Sequence, residues 1–277
     1  MAKALGLIGN FKGKLGNTVG YSLKDSNNKQ TQGVRVYQPV VRNPKTAAQA
    51  EQRCKLAPIN ATYRALKMII DRGQEGKAYG NKSRLAWLRD ALKAFEGGYF
   101  VKGAAINMPA LVPLTKGSLP VSFNPDASAD HIVLSVPSVS AETTTTFGAL
   151  CTALVGRFSG LQDGDQVTFV ETYDNDGFIG CLIESIVIDS TSTAAIPSFI
   201  EVDDGSVDVF AGLKSGTAVA VIVSREGDNG AHLRNSVSLT KAENYETNTL
   251  APTAKQAAIE SYMSQGANTD WAEESLM

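Results

Sequence analysis

The sequence predicts an α+β protein, in which an N-terminal β-hairpin arm and a helical pair are followed by an antiparallel, immunoglobulin-like β-sandwich. Three observations predict it. Glycines at 6, 9, 13, 16 and 20 punctuate the first forty residues too densely for a helix, where each would cost about 1 kcal/mol. Helical periodicity is then confined to residues 43–98. From residue 126 onward, short apolar runs alternate with DGD, NDG, DDGS and DNG turns.

Residues 1–42 form the basic, Gly-rich arm. NTVGYSLKD and VRVYQPVV flank the polar SNNKQTQG, so a hairpin is expected from about Asn17 to Val41, with Val19, Tyr21 and Leu23 on one face. Pro39 marks the second strand as an edge or an exit from the sheet. A helical pair follows over 43–98. Its start is capped either by Asn43 with Pro44 at the first helical position or by a capping box of Thr46 and Gln49. The first helix runs past a kink at Pro58 and ends near Gly73. The second, Asn81 to Phe95, places Leu85, Leu88, Leu92 and Phe95 on one stripe and ends at Gly97 and Gly98.

Residues 99–125 are apolar but broken by prolines, a connector that lies against another surface. Residues 126–242 are the acidic β-sandwich. Its strands are expected at HIVLSV, ALCTALVGRF, QVTFVETYD, IGCLIESIVI, SFIEV with VDVF, TAVAVIVS and HLRNSVSL. The expected core is Val133, Val167, Phe169, Ile183, Ile186, Val219 and Val221, within a domain that folds independently. Residues 243–277 are a C-terminal helix, capped by Thr253 and Gln256, and an acidic tail.

The net charge of −2 hides a division. Residues 1–116 hold 20 Lys and Arg against 6 Asp and Glu, a balance of +14; the rest of the chain is at −16. Such asymmetry points to nucleic-acid contact or to complementary packing between subunits. The three cysteines, Cys54, Cys151 and Cys181, are scattered and odd in number, which predicts buried free thiols rather than a disulfide framework or zinc ribbon. No signal peptide or membrane span is legible, so synthesis in the cytoplasm is expected.

No set of residues carries catalysis, a cofactor or a metal. The two histidines, His131 and His232, stand at strand starts without a nucleophile pattern. Walker A and dinucleotide fingerprints are missing. Asp174, Asp176 and Gly177 mimic part of a calcium loop, but the frame puts Thr172 at its first position and Ile183 where a bidentate Glu belongs. A hairpin turn is the simpler reading. Asp163 and Asp165, like Asp203 and Asp204, also read as turn residues. Paired glycosidase acids would need aromatic platforms, and the two Trp, Trp87 and Trp271, lie outside the sandwich.

One constellation remains. Lys3, Lys12 and Lys14 alternate with glycine, and Tyr21 and Tyr37 are available for stacking. Arg35, Arg42, Arg53 and Arg64 extend the basic face across the arm and first helix. This surface can be a solvated face, a phosphate contact, or a dock for the acidic domain of a neighbouring copy.

GKLGNTVGY, PVVRNPKTAAQAEQR and LTKGSLP together resemble an uncharacterised family of hairpin-helix-sandwich proteins encoded by bacteriophages, prophages and their hosts. The resemblance covers roughly the first 120 residues. It implies no catalytic residue and no cofactor, and points to a virion or assembly component. The expectation is therefore a non-enzymatic, homo-oligomeric structural protein that contacts its own copies or other particle proteins through the arm, without a membrane. A nucleic-acid-binding protein using the basic half is the alternative. A carbohydrate-binding or adhesive sandwich, a third reading, would need exposed aromatics in the loops, where few occur.

Overall fold

A computed structural model describes residues 13–24, 30–37, 46–94, 112–127, 131–175, 178–210, 218–227, 230–241 and 252–264. The chain divides into two compact units, residues 1–45 and 46–277. Both helices and antiparallel sheets are present, so the α+β class stands.

The first unit is a three-stranded antiparallel sheet, β1 (Gly13–Leu15), β2 (Thr18–Lys24) and β3 (Gln30–Val36). The expected hairpin is there, with Thr18 paired to Val36 and Lys24 to Gln30. Tyr21 lies opposite Gly33, and a Cβ on that glycine would come within 2.5 Å of the Tyr21 ring. Glycine is needed here for space, so that the ring can cross the partner backbone. Of this sheet's valines, Val19 and Val34 are half-buried and Val36 is exposed.

The second unit opens with α1 (Ala47–Ala65), α2 (Lys67–Ile70) and α3 (Asn81–Lys93). Thr46 Oγ1 accepts a hydrogen bond from Gln49 N at 3.3 Å, which selects the Thr46 cap; Asn43 and Pro44 lie outside the described residues. Pro58 is inside α1, and the helix continues through it to Ala65. The buried face of α3 is Ser83, Trp87 and Ala91. The expected stripe is thus rotated: Leu88 and Leu92 only flank the core, and Leu85 is 55% exposed.

The strands β4 (Pro113–Thr115), β5 (Asp126–Ala127) and β6 (Ile132–Ser135) come next, followed by α4 (Phe147–Arg157). Then come β7 (Gln166–Asn175), β8 (Phe178–Val187), β9 (Ile200–Asp203), β10 (Ser206–Val209), β11 (Ala218–Glu226), β12 (His232–Arg234), β13 (Val237–Ser238) and β14 (Thr240–Lys241). The last element is α5 (Pro252–Ser264).

The ALCTALVGRF strand is corrected to the helix α4. Thr146 Oγ1 caps it by accepting from Ala149 N at 3.3 Å, and its buried residues Leu150, Cys151 and Leu154 fall at helical spacing. Gly148 lets it pack closely, since a Cβ there would come within 2.4 Å of Ser192 O. A helix therefore stands where an immunoglobulin-like series has a strand. Thr253, expected as the cap of the last helix, is inside α5, which begins at Pro252.

The central sheet has the order β12-β11-β7-β8, with β14 also pairing to β11. One face carries Val167, Phe169, Ile186, Val219, Val221 and Val223 against α4 and a four-stranded sheet of order β5-β6-β10-β9. The other face carries Val170, Ala218, Ala220 and Ile222 against Ile59, Leu66, Ile70, Trp87 and Ala91 of the helical layer. Burial on both faces explains why TAVAVIVS is apolar without alternation. It also changes the expected sandwich, because residues 126–242 share a second core with residues 59–91. Within β6 the inward residues are Ile132 and Leu134, so Val133 points away from the core, and Ile183 packs on the helical side. α5 packs on α1 through Ala50, Cys54, Ala258 and Ile259, with Lys255 Nζ 3.0 Å from Glu51 Oε1.

Candidate functional site

The loop between α2 and α3 is held from below. Asp71 is buried, accepts a 2.9 Å hydrogen bond from Tyr63 OH and pairs with Lys67. Burial pushes its carboxyl up, but the hydrogen bonds from Lys67 and Tyr63 win and hold it below the usual range. Gly80 N donates to Asp71 O at 3.0 Å, closing the loop's base. Gly76 and Gly80 take positive φ angles of 71° and 82°, which lets the chain turn back within a few residues. The loop's edge is stitched to the connector, with Lys116 N donating to Gly73 O and Glu75 N to Lys116 O, both at 2.9 Å.

Glu75 fastens this loop to β12. Its carboxylate accepts from Ser118 N at 2.8 Å, Ser118 Oγ at 2.7 Å and Arg234 N at 3.1 Å. Partial burial raises its pKa, and these hydrogen bonds lower it by more, so the group stays ionised below the usual range. Behind β11, Arg225 forks onto buried Asp165 with two 2.6 Å contacts and donates to Gly160 O at 2.7 Å. Asp165 is thus a buried acid that also closes its turn, accepting from Gln162 N at 2.9 Å; Asp163 serves its loop, accepting from Ser190 N and Oγ.

Between the loop and the β11–β12 hairpin lies a cleft of about 870 Å³. Arg72, Lys77, Tyr79, Glu226, His232 and Arg234 are on its walls. The Arg72 guanidinium sits 5.3 Å from the centroid of the Tyr79 ring. Arg234 is partly buried, and burial followed by the neighbouring Arg72 charge lowers its pKa, with Glu75 opposing. Among the described residues, Arg72, Lys77 and Arg234 have no carboxylate within ion-pair distance. The cleft can therefore accept negative charge.

Of the residues expected to form one basic face, Lys14 and Arg35 belong to the first unit and Arg53 and Arg64 to the second. Lys14 lies 3.8 Å from the Tyr37 ring centroid, while Arg35 is exposed on β3. Arg53 and Arg64 are both on α1, about 16 Å apart along its axis. Lys3, Lys12 and Arg42 lie outside the described residues. Sequence reasoning missed Glu75, Tyr79, Arg225 and Arg234 and left His232 as a strand end. The one available signal was RGQEGKAYG, a basic and glycine-punctuated loop between two helices.

His131 Nε2 is 3.2 Å from Asp208 Oδ2, and Ser206 Oγ is 3.5 Å from Asp208 Oδ1. The carboxylate is in the middle, whereas a hydrolytic triad places the imidazole there. All three cysteines are free; burial raises their pKa values, and Cys181 Sγ donates to Ala65 O at 3.0 Å. Among the described residues there is no cluster able to hold a metal ion. Asn175 pairs with Phe178, so β7 and β8 form an antiparallel pair, and Asp176 and Gly177 lie outside the described residues. No described helix is long and apolar enough to cross a membrane. No family model matches the chain, and neither a curated protein nor a solved structure matches it.

Proposed function

We propose that the chain is a non-enzymatic structural protein of a bacteriophage virion or related particle, associating with its own copies or other particle proteins through the N-terminal arm. The observation that carries this reading is the exposure of valines along the arm's described strands. Val19 and Val34 are only half-buried, and Val36 is 73% exposed. A sheet of three short strands is marginal in water until a face is covered. A neighbouring subunit supplies such cover by packing against the sheet or extending it. The opposed charges of the two chain segments would set the rate and register of a head-to-tail contact, while apolar burial holds it.

The test removes residues 1–45 and compares the truncated and full chains by light scattering and thermal unfolding. The remainder is expected to unfold cooperatively and to stay small where the full chain assembles. A truncated chain that reaches the same size distribution as the full chain would overturn the proposal.

A further inference from the structure

We propose that the cleft between the Arg72–Tyr79 loop and the β11–β12 hairpin binds a nucleotide phosphate, carried by a free nucleotide or by one unit of a nucleic-acid strand. Every residue invoked lies within 46–277, so the inference is independent of the arm.

Charge is the first ground. Arg72 and Arg234 line the same cleft, and Arg234 is partly withdrawn from water. An oxyanion between the two guanidinium groups would be attracted by both. The acids nearby offset these charges only in part. Glu75 is committed to the Ser118 and Arg234 amides, and Asp165 to Arg225. Glu226 is exposed at the cleft wall with no ion-pair contact. Lys77 adds a further cation.

Shape and chemistry narrow the ligand. Guanidinium forks match tetrahedral phosphate oxygens through paired hydrogen bonds. Tyr79 is 66% exposed, and its ring offers a flat surface on which a base can stack beside the Arg72 contact. The volume of about 870 Å³ lies in the range of small-molecule sites. An acidic peptide would use the cations but would have no use for the exposed ring. Because Asp71 and Glu75 already anchor both sides, the loop loses little freedom on binding.

The test uses the full-length protein with calorimetric titration of inorganic phosphate, a nucleoside triphosphate and a single strand of about 12 nucleotides. Arg72→Gln and Arg234→Gln are expected to weaken nucleotide binding by about tenfold or more, the loss of one charge-assisted hydrogen bond. Lys82→Gln, outside the cleft, should leave it unchanged, and Glu226→Gln should tighten it. Equal affinity for the triphosphate and the strand identifies a nucleotide site; much tighter binding of the strand identifies a nucleic-acid site. If Arg234→Gln fails to fold, exposed Arg72 alone decides. The proposal fails if no phosphate compound binds at millimolar concentration, if folded Arg72→Gln binds as the unaltered protein does, or if a glutamate-rich peptide displaces the triphosphate.

Discussion

The hairpin β2–β3 and the hairpin β7–β8 are built alike and end differently. Each is antiparallel, and each sets a tyrosine across from a glycine, Tyr21 with Gly33 and Tyr173 with Gly180. In both, a Cβ on the glycine would lie 2.5 Å from the ring. Yet β7 carries Val167, Phe169 and Val170, buried on both sides of a central sheet, while in the arm Val19 and Val34 are only half-buried and Val36 is exposed. Local strand chemistry is enough to set a hairpin, but stability comes from the layers that cover it.

The most severe way to break the contrast is to remove one layer. Residues 126–242 expressed alone would leave Val170, Ala218, Ala220 and Ile222 facing water. Their denaturant transition is expected to lose cooperativity, with dye-binding apolar surface exposed; a sharp transition like that of the full chain would show that the helical layer is dispensable. Next in size is Phe169→Ala, 1% exposed, which should cost about 3–5 kcal/mol in chemical denaturation. Val36→Ala in the arm should change the same measurement by less than about 0.5 kcal/mol.

Asp165→Asn should cost about 2–3 kcal/mol, below a fully buried pair because Arg225 can turn partly to water. A loss near that of Phe169→Ala would mean that Arg225 cannot rehydrate. The smallest effect is on pH dependence. Asp71 and Glu75 have lowered folded pKa values, so their contribution is complete above the usual carboxyl range and fades as pH falls through the folded values. Melting temperature should therefore drop on acidification below about pH 4, and Asp71→Asn should make that drop shallower.

What could be read from the sequence was local. The Thr46 cap, the arm hairpin and the β7–β8 pair rest on residues within a few positions of one another. The helix α4 was misread because FGALCTALVGRF is apolar on most sides, and a short apolar run does not declare its period. The α3 stripe was misread because leucines outweighed Trp87, although the buried face is Ser83, Trp87 and Ala91. The cleft was illegible for another reason. Arg72 and Arg234 meet only after the chain has folded, and nothing near either one announces the other.

Glu75 also bears on the order of events during folding. Its carboxylate joins Ser118, 43 positions away, and Arg234, 159 positions away. Loops of that length close slowly, so these contacts should form after the β7–β8 hairpin, whose strands are adjacent in the chain. A nascent or half-folded chain would then lack a finished cleft, and ligand capture would report completed folding. Pulse-labelled amide exchange should find the Ser118 and Arg234 N–H groups protected later than those of β7.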